Sequence, residues 1–203
     1  MKRLRAAVRH YAASTDPRVE AANWVALVLA WNAPFYPLYL MGAGGGPGVW
    51  LTAWSLPLFL AIPALTRRHP LAGRVLLALA GSGHTLFCTW VLGEASGTHL
   101  FLLPCVTLAA LLFRRRERIA LFSLLALPIL AGIMLDGRYP ASPFACMGAV
   151  CAAILWLNAV SVAVLTAFLG LLATGLADAG APPSATHQSR TRCSTGTDRQ
   201  SIS

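Results

Sequence analysis

The sequence predicts an all-α protein: a polytopic membrane bundle of six transmembrane helices with both termini in the cytoplasm. Its 203 residues are 57% hydrophobic and only 11% charged, whereas soluble domains carry roughly 25% charged residues. The mean hydropathy is +0.64. The apolar residues fall in long blocks, and arginines cluster between those blocks. A soluble domain would need more charged residues to cover its surface, so this composition favours the membrane class.

Six apolar blocks follow one another along the chain. A helix needs about 20 predominantly apolar residues to cross a bilayer. The stretches that approach this length are residues 23–41, 48–66, 72–93, 95–113, 119–135 and 147–173. Only short segments connect them, such as RRHP, GEASG and RRRER. Short connections predict that successive helices run antiparallel.

The distribution of basic residues tests the number of spans. With six spans, fifteen of the sixteen Lys and Arg residues fall on one side of the membrane, and only Arg138 falls on the other. Five or seven spans would scatter the arginines over both sides. Because positively charged loops are retained in the cytoplasm, the six-span arrangement places both termini inside.

Three regions result. Residues 1–22 form a basic cytoplasmic arm, residues 23–176 form the transmembrane domain, and residues 177–203 form a cytoplasmic tail. The tail is polar and almost devoid of large apolar residues, so we expect it to be disordered. No charged residue occurs from 144 to 176, and a helix of that length would reach roughly 50 Å. The last helix should therefore tilt or protrude beyond a hydrocarbon core of about 30 Å.

Several function classes are disfavoured by the same features. The net charge of +9 would suggest nucleic acid for a soluble protein, but here the arginines serve to orient the spans, so no nucleic-acid partner is predicted. The five cysteines include no CxxC, and four lie in or beside apolar segments. We interpret them as small hydrophobes and predict neither a disulfide framework nor a metal site. Hydrolase, phosphate-binding, dinucleotide and zinc-protease motifs are absent from the sequence, so neither an enzyme nor a cofactor is predicted.

The stretch HTLFCTWVLGEASGTH, residues 84–99, places titratable groups at the outer boundary of the third and fourth spans. Glu94 ends one span and His99 opens the next, so the turn brings them close together. They are either simple boundary residues in contact with water or part of an outward-facing ligand-binding or proton-sensing patch. Such a patch could include Asp136, Arg138 and Tyr139 from the last outer loop. Histidine suits a pH response because it titrates near neutral pH.

His84 lies ten residues before Glu94, which places it about 15 Å below the outer boundary. An ionisable group at that depth is costly and usually faces a partner inside the bundle. The candidate partners on other spans are Asn32, Asn158 and Ser161. Hydrogen bonds between helices would explain His84, and a ligand contact or a proton relay is the alternative.

Residues 83–122 carry a resemblance to a known family. The histidine in the third span, the turn LGEASGTH, an aromatic-aliphatic fourth span and the basic turn that follows resemble the six-helix membrane anchor of bacterial class III adenylate/guanylate cyclases. The six-span layout of residues 1–178 is similar to it as well. The resemblance implies a bacterial inner-membrane protein that relays outer-face or lipid signals through its sixth helix to a cytoplasmic catalytic domain. The tail lacks the metal-binding aspartates of that domain, so we expect no cyclase activity from this chain alone; a truncation or a disrupted reading frame is one explanation.

Two functions from different classes remain open on the sequence. The leading hypothesis is a membrane sensory or anchoring module that relays an outer-face or lipid signal through helix six. Its expected partners are the lipid bilayer, a second copy of the chain and a separate cytoplasmic effector. The alternative is a small transporter or channel with a path past His84. An inert remnant of a larger protein is a third possibility.

Overall fold

The computed structural model describes residues 2–180 apart from residues 43, 45, 143, 145 and 147. Helices and their connections make up this part of the chain, and it contains no strand. The α-helices are α1 (Lys2–Ala12), α2 (Pro17–Asn32), α3 (Phe35–Gly42), α4 (Leu56–Arg68), α5 (Pro70–Leu92), α6 (Leu102–Leu112), α7 (Arg118–Leu135) and α8 (Gly148–Gly180). Three 3₁₀ helices join them: η1 (Pro47–Ala53), η2 (Glu94–Ser96) and η3 (Thr98–Phe101). The all-α prediction is confirmed.

Five segments of the described chain are long and apolar enough to cross a membrane: Pro17–Gly42, Pro47–Arg68, Pro70–Leu92, Arg118–Leu135 and Gly148–Ala177. The sixth predicted span, residues 95–113, corresponds to a shorter apolar segment, Thr98–Leu112. It is short because Gly93 and Gly97 both have positive φ, at 84° and 72°, a conformation that ends regular helix. The structure therefore has five to six potential spans.

The first and the last helices of the bundle extend beyond the predicted boundaries of the transmembrane domain. The basic arm contains a helix of its own, α1, and the first span begins at Pro17. There Asp16 caps α2 by accepting a hydrogen bond from the Arg18 backbone at 2.9 Å, a typical helix start. At the other end, α8 continues to Gly180, beyond the predicted boundary at 177. Residues 181–203 of the predicted disordered tail lie outside the described residues.

The basic clusters that are far apart in the sequence meet at one end of the bundle, which we call the basic end. Arg114 forms an ion pair with Asp16 at 2.9 Å, which joins the α6–α7 loop to the start of α2. Arg74 of α5 forms an ion pair with Glu117 at 2.6 Å. Arg67 of α4 donates to the carbonyl of His10 in the arm at 3.1 Å. The prediction that these segments share one side is confirmed as a spatial arrangement.

The opposite end, which we call the outer end, collects the remaining connections. The backbone N–H of Gly137 donates to Glu94 at 3.0 Å, which ties the α7–α8 loop to η2. Ser142 of the same loop donates to the carbonyl of Val91 at 2.6 Å. Arg138, the predicted exception among the basic residues, lies in this loop. The chain thus alternates between the two ends, as the six-span prediction requires.

A disulfide joins Cys146 to Cys151 at the outer end, which corrects the prediction that the cysteines form none. The two residues are five positions apart in the sequence, and their Cα atoms lie 5.0 Å apart. Disulfide geometry requires such proximity, which the spacing of the two cysteines does not by itself reveal. Cys88 and Cys105 are buried free thiols, as predicted for small hydrophobic residues.

The core is centred on α5. Within its spanning window 56% of the residues are buried, compared with 11% for α7 and 11% for α8. α5 packs against α4, α6 and α2, whereas α7 and α8 pack at the periphery and leave apolar faces exposed. Such faces are expected where a helix contacts lipid tails. Near the basic end, buried Asn23 accepts from Thr66 at 2.8 Å and donates to the carbonyl of Ala12 at 2.9 Å.

Candidate functional site

The segment between α5 and α6, residues 94–101, is built from two short 3₁₀ helices with Gly97 between them. Gly97 adopts a left-handed conformation, with φ of 72°. Left-handed backbone favours glycine because other residues incur a clash with their Cβ. Some side chains of this segment line a groove between α6 and α7, and others contact α8.

On one side of the segment lies a groove of about 390 Å³ between α6 and α7. We call it the outer groove. Its polar end is formed by Glu94, His99, Asp136 and Tyr139. The structure therefore brings together four of the five residues of the predicted outer patch, and they come from two separate loops.

The walls of the outer groove are apolar. Leu103 and Val106 of α6 face Ile129 and Ile133 of α7 across it. Leu103 is 62% exposed and Ile133 is 63% exposed, so the groove is open along the side of the bundle. In a membrane, that side faces lipid tails. An amphipathic molecule could enter the groove laterally with its polar group at the outer end.

Two polar atoms at this polar end are buried and have no hydrogen-bond partner within the described chain: His99 Nδ1 and the Tyr139 hydroxyl. Buried polar atoms are normally paired, and leaving one unpaired costs about 1–3 kcal/mol. One Glu94 oxygen accepts from the Gly137 backbone. Burial raises the pKa of Tyr139, which lies in the loop after α7; the nearby Thr89 side chain acts in the opposite direction, and the Glu94 carboxylate adds to the increase.

On its other side the segment contacts α8. Asn158 is fully buried and donates to the carbonyl of Ser96 at 2.9 Å and to the Thr98 hydroxyl at 3.3 Å. The Ser96 and Thr98 hydroxyls lie 2.7 Å apart. Gly97 packs so closely on Leu155 that an added Cβ would overlap it. The segment that supplies Glu94 and His99 to the outer groove is thus fixed to the last helix.

A second pair of unpartnered atoms lies in this contact. The side-chain oxygen of Asn158 and the hydroxyl of Tyr36 in α3 are both buried without a hydrogen bond within the described residues. The Tyr36 hydroxyl faces Thr98 and Asn158. A small shift of α8 against α3 is therefore sufficient to form a hydrogen bond at this point.

Arg138 and His84 do not join the outer groove. Arg138 is exposed in the α7–α8 loop and does not line it. His84 Nδ1 lies 2.9 Å from the Ser55 hydroxyl, and its ring packs edge-on against Phe59. The Cys88 thiol lies 3.6 Å from Nε2. His84 is therefore accommodated between α4 and α5 by local contacts.

The predicted partners of His84 lie elsewhere. Asn32 is exposed and donates to the carbonyl of Val28 on its own helix at 3.0 Å. Asn158 bonds to residues 96 and 98, as described above. Ser161 is half-buried one turn further along α8. The partner that the structure gives His84, Ser55, precedes α4 inside the second predicted span, and no spacing in the sequence relates the two residues.

No group of three or more His, Cys, Asp or Glu side chains suited to a metal ion occurs in the described part of the chain. Sequence reasoning also missed three features: Tyr36, the disulfide, and the Arg74–Glu117 pair. A tyrosine within an apolar span was the available signal for Tyr36, since a buried hydroxyl usually requires a partner.

Comparison with known proteins identifies the type of domain. The family model MASE7 matches residues 8–173, which include the outer groove and most of α8. The chain belongs to the MASE7 family. MASE7 is a membrane-associated sensor domain, in agreement with the apolar helices and the predicted sensory class. Comparisons with curated proteins and with solved structures return no match.

Proposed function

We propose that this MASE7 domain senses a change at the outer end of the bundle or in the surrounding lipid and relays it through α8 to a cytoplasmic effector. The observation that carries the proposal is the double contact of residues 94–101. This segment supplies Glu94 and His99 to the outer groove and binds α8 through Ser96 and Thr98. A ligand that moves the segment would therefore move α8.

α8 is suited to transmit such a movement. It is a single helix of 33 residues, which corresponds to about 50 Å, and it contains no proline. Asn158 contacts the sensing segment near the outer end, whereas Leu169 and Leu176 pack into the core cluster that reaches the basic end. A displacement at one end is thereby carried past the full thickness of the bundle.

The effector and the assembly belong to the same proposal. The resemblance to the cyclase anchors favours a nucleotide cyclase as effector, encoded separately or in a part of the protein beyond this chain. The clustering of arginines favours both termini in the cytoplasm and a place in the bacterial inner membrane. The exposed apolar faces of α7 and α8 are compatible with a homodimer surrounded by lipid. The domain itself would perform no catalysis.

A transporter or channel has less support. It would use a path past His84, but His84 is packed between Ser55, Phe59 and Cys88, and the outer groove does not reach it. No observation among the described residues favours that function over a sensor.

The test joins Gly180 to the catalytic domain of a class III adenylate cyclase and measures cyclic AMP in a cyclase-deficient bacterium. We expect Asn158→Leu to change the cyclic AMP level at least about threefold, because it removes the hydrogen bonds between α8 and the sensing segment. Val160→Leu is the matched control, since Val160 lies on the same helix and is 53% exposed. Equal amounts of membrane-inserted protein, measured by immunoblot, exclude a folding defect.

An output from Asn158→Leu that equals wild type at equal abundance would contradict the proposal. Inserting a single alanine after Leu176 provides a second measurement that does not depend on the buried contact. It rotates the effector by about 100° relative to the bundle and should alter the output if α8 is the relay. An unchanged output would also contradict the proposal.

A further inference from the structure

We propose that the outer groove binds a single-chain amphiphile whose head group is a cationic amine and that this molecule enters from the outer leaflet. The proposal rests on the proposed sensory function and adds the chemical class of the ligand. It follows from the shape of the groove, from the charge at its polar end and from the atoms left unpartnered there.

The walls specify an apolar chain. Leu103, Val106, Ile129 and Ile133 line the part of the groove that extends toward the middle of the bundle. From His99 to Val106 the groove runs about 10 Å along the helix axis. Its volume of about 390 Å³ lies at the lower end of the range for small-molecule sites, about 300–1,000 Å³. Such a space accommodates one alkyl chain more readily than the two chains of a phospholipid.

The polar end specifies the charge of the head group. Glu94 and Asp136 supply carboxylates, and the described residues that line the groove include no Lys or Arg. The two ion pairs within the described residues, Arg74–Glu117 and Arg114–Asp16, both lie at the basic end. An anionic head group would therefore meet two carboxylates without a compensating cation, whereas an ammonium group would be attracted.

The unpartnered atoms match the donors of an amine. A primary ammonium group carries three N–H donors and no acceptor. The side chains of Tyr139 and His99 line the same end of the groove, and their hydroxyl oxygen and Nδ1 are buried without partners. Each atom can accept a hydrogen bond once its side chain turns toward the head group, Nδ1 in the neutral tautomer that leaves it unprotonated. Together with a carboxylate oxygen, they provide acceptors for the three donors.

The test measures binding of dodecylamine to the full chain in phosphatidylcholine nanodiscs, by native mass spectrometry over a concentration series. Dodecanol and dodecanoic acid have the same chain length and serve as the neutral and anionic comparisons. We expect dodecylamine to bind at least about tenfold more tightly than dodecanoic acid, and this preference to disappear in Glu94→Gln/Asp136→Asn. Arg138→Gln, in the same loop but outside the groove, should retain it.

A second pair of variants tests the walls. Ile133→Trp should fill the groove and weaken dodecylamine binding at least about tenfold. Ile119→Trp is the matched control, since Ile119 lies on the same helix, is 86% exposed and does not line the groove. Both replaced side chains are exposed on the lipid-facing surface, so neither change should prevent folding.

Three outcomes would overturn the proposal: equal binding of the three amphiphiles, tighter binding of the acid, or identical weakening by both tryptophan variants. Each would indicate partition into the lipid or a site of different chemistry. Failure here is distinguishable from failure of the relay, because the Asn158→Leu and alanine-insertion measurements use no added ligand. If those variants alter cyclic AMP while dodecylamine fails to bind selectively, the relay stands and only the ligand class is wrong.

Discussion

Among the buried polar residues of the described chain, Arg74 is the one with a charged side chain. Its side chain is 4% exposed, and it donates to both carboxylate oxygens of Glu117, at 2.9 and 2.6 Å, and to the carbonyl of Leu112 at 2.6 Å. Its guanidinium also lies 5.5 Å from the centre of the Phe113 ring. These contacts fix the start of α5 to the end of α6 and to the loop that follows.

Removing this guanidinium should destabilise the protein strongly. We expect Arg74→Gln to cost about 3 kcal/mol in a largely buried place, because Glu117 loses its counter-charge and keeps the Arg114 backbone N–H as a donor, while the Leu112 carbonyl loses its side-chain donor. Thermal unfolding in detergent, followed by circular dichroism, measures the effect. Arg115→Gln is the control, since Arg115 is exposed in the same loop as Glu117. Equal unfolding temperatures for the two variants would show that the Arg74 contacts contribute little.

The same pair makes stability depend on pH. Desolvation acts to raise the pKa of Glu117, but hydrogen bonds and charge from Arg74 and Arg114 outweigh it and lower the pKa below the ordinary value of 4.5. A lowered pKa in the folded state contributes stability above the unfolded pKa, and this contribution is lost as pH falls through the folded value. The unfolding temperature of the wild type should therefore fall more than that of Glu117→Gln when the pH is lowered from about 6 to about 3. Parallel curves for the two proteins would contradict this assignment.

Individual residues were predictable where sequence neighbours decide their position. Glu94 and His99 are joined by a short glycine-containing turn, so their common location followed from the spans alone. The Arg74–Glu117 pair depends on how α5 packs against the α6–α7 loop, which a single sequence does not specify. The contact between His84 and Ser55 could not be predicted for the same reason, because it depends on how α4 packs against α5.

At the scale of elements, two helices approach each other closely where Gly73 of α5 meets Thr66 of α4. A Cβ at position 73 would overlap the Thr66 side chain and would lie 3.1 Å from both the Cα and the backbone nitrogen of Thr66. Thr66 in turn donates to Asn23. The missing side chain at position 73 thus permits the contact that links α4, α5 and α2.

Two identical substitutions on α5 should have opposite effects. Gly73→Ala should destabilise by about 1–3 kcal/mol, since the backbone of Thr66 must move to relieve the overlap. Gly83→Ala should be neutral or stabilising by up to about 1 kcal/mol, because Gly83 has open space around it and alanine favours helix. Denaturation in detergent compares the two. The close contact is refuted if Gly73→Ala is as stable as Gly83→Ala.

Helices were predicted more reliably than their boundaries. The apolar blocks coincide with the five segments of the described chain that are long and apolar enough to span and with the shorter Thr98–Leu112, since hydrocarbon requires long apolar runs. The boundaries shifted where local backbone chemistry intervened: two glycines with positive φ shortened the fourth span, and Pro34 separates α2 from α3 within the first. The capping carboxylate of Asp16 started α2 six residues before the predicted boundary at 23.

At the scale of the whole molecule, the charge distribution predicted that the basic segments share one side of the bundle. The structure supports this with hydrogen bonds and ion pairs among those segments. Four arginines from different elements form hydrogen bonds or ion pairs with other elements at the basic end: Arg18, Arg67, Arg74 and Arg114. The arginines after residue 180 lie outside the described residues. Which compartment the basic end faces is a proposal drawn from the retention of positive loops on the cytoplasmic side.

Reporter fusions test that orientation. Green fluorescent protein joined after His69 or after Arg116 should fluoresce, and alkaline phosphatase at the same positions should be inactive, because both positions lie at the basic end. Fusions after Ala95 or after Arg138 should behave in the opposite way. Phosphatase activity after His69 together with fluorescence after Arg116 would place the two basic turns on different sides and would exclude the six-span topology.

The disulfide gives an independent measurement of the same orientation. Disulfides persist in the oxidising periplasm and are rare in the reducing cytosol, and the Cys146–Cys151 bond lies at the outer end. If that end faces the periplasm, denatured protein from membranes prepared with a thiol-blocking reagent should gain two maleimide-polyethylene glycol tags after reduction. Cys146→Ser should abolish the gain. The absence of any gain in wild type would mean that these thiols are reduced in the cell, as expected for a bundle inserted with its basic end outside.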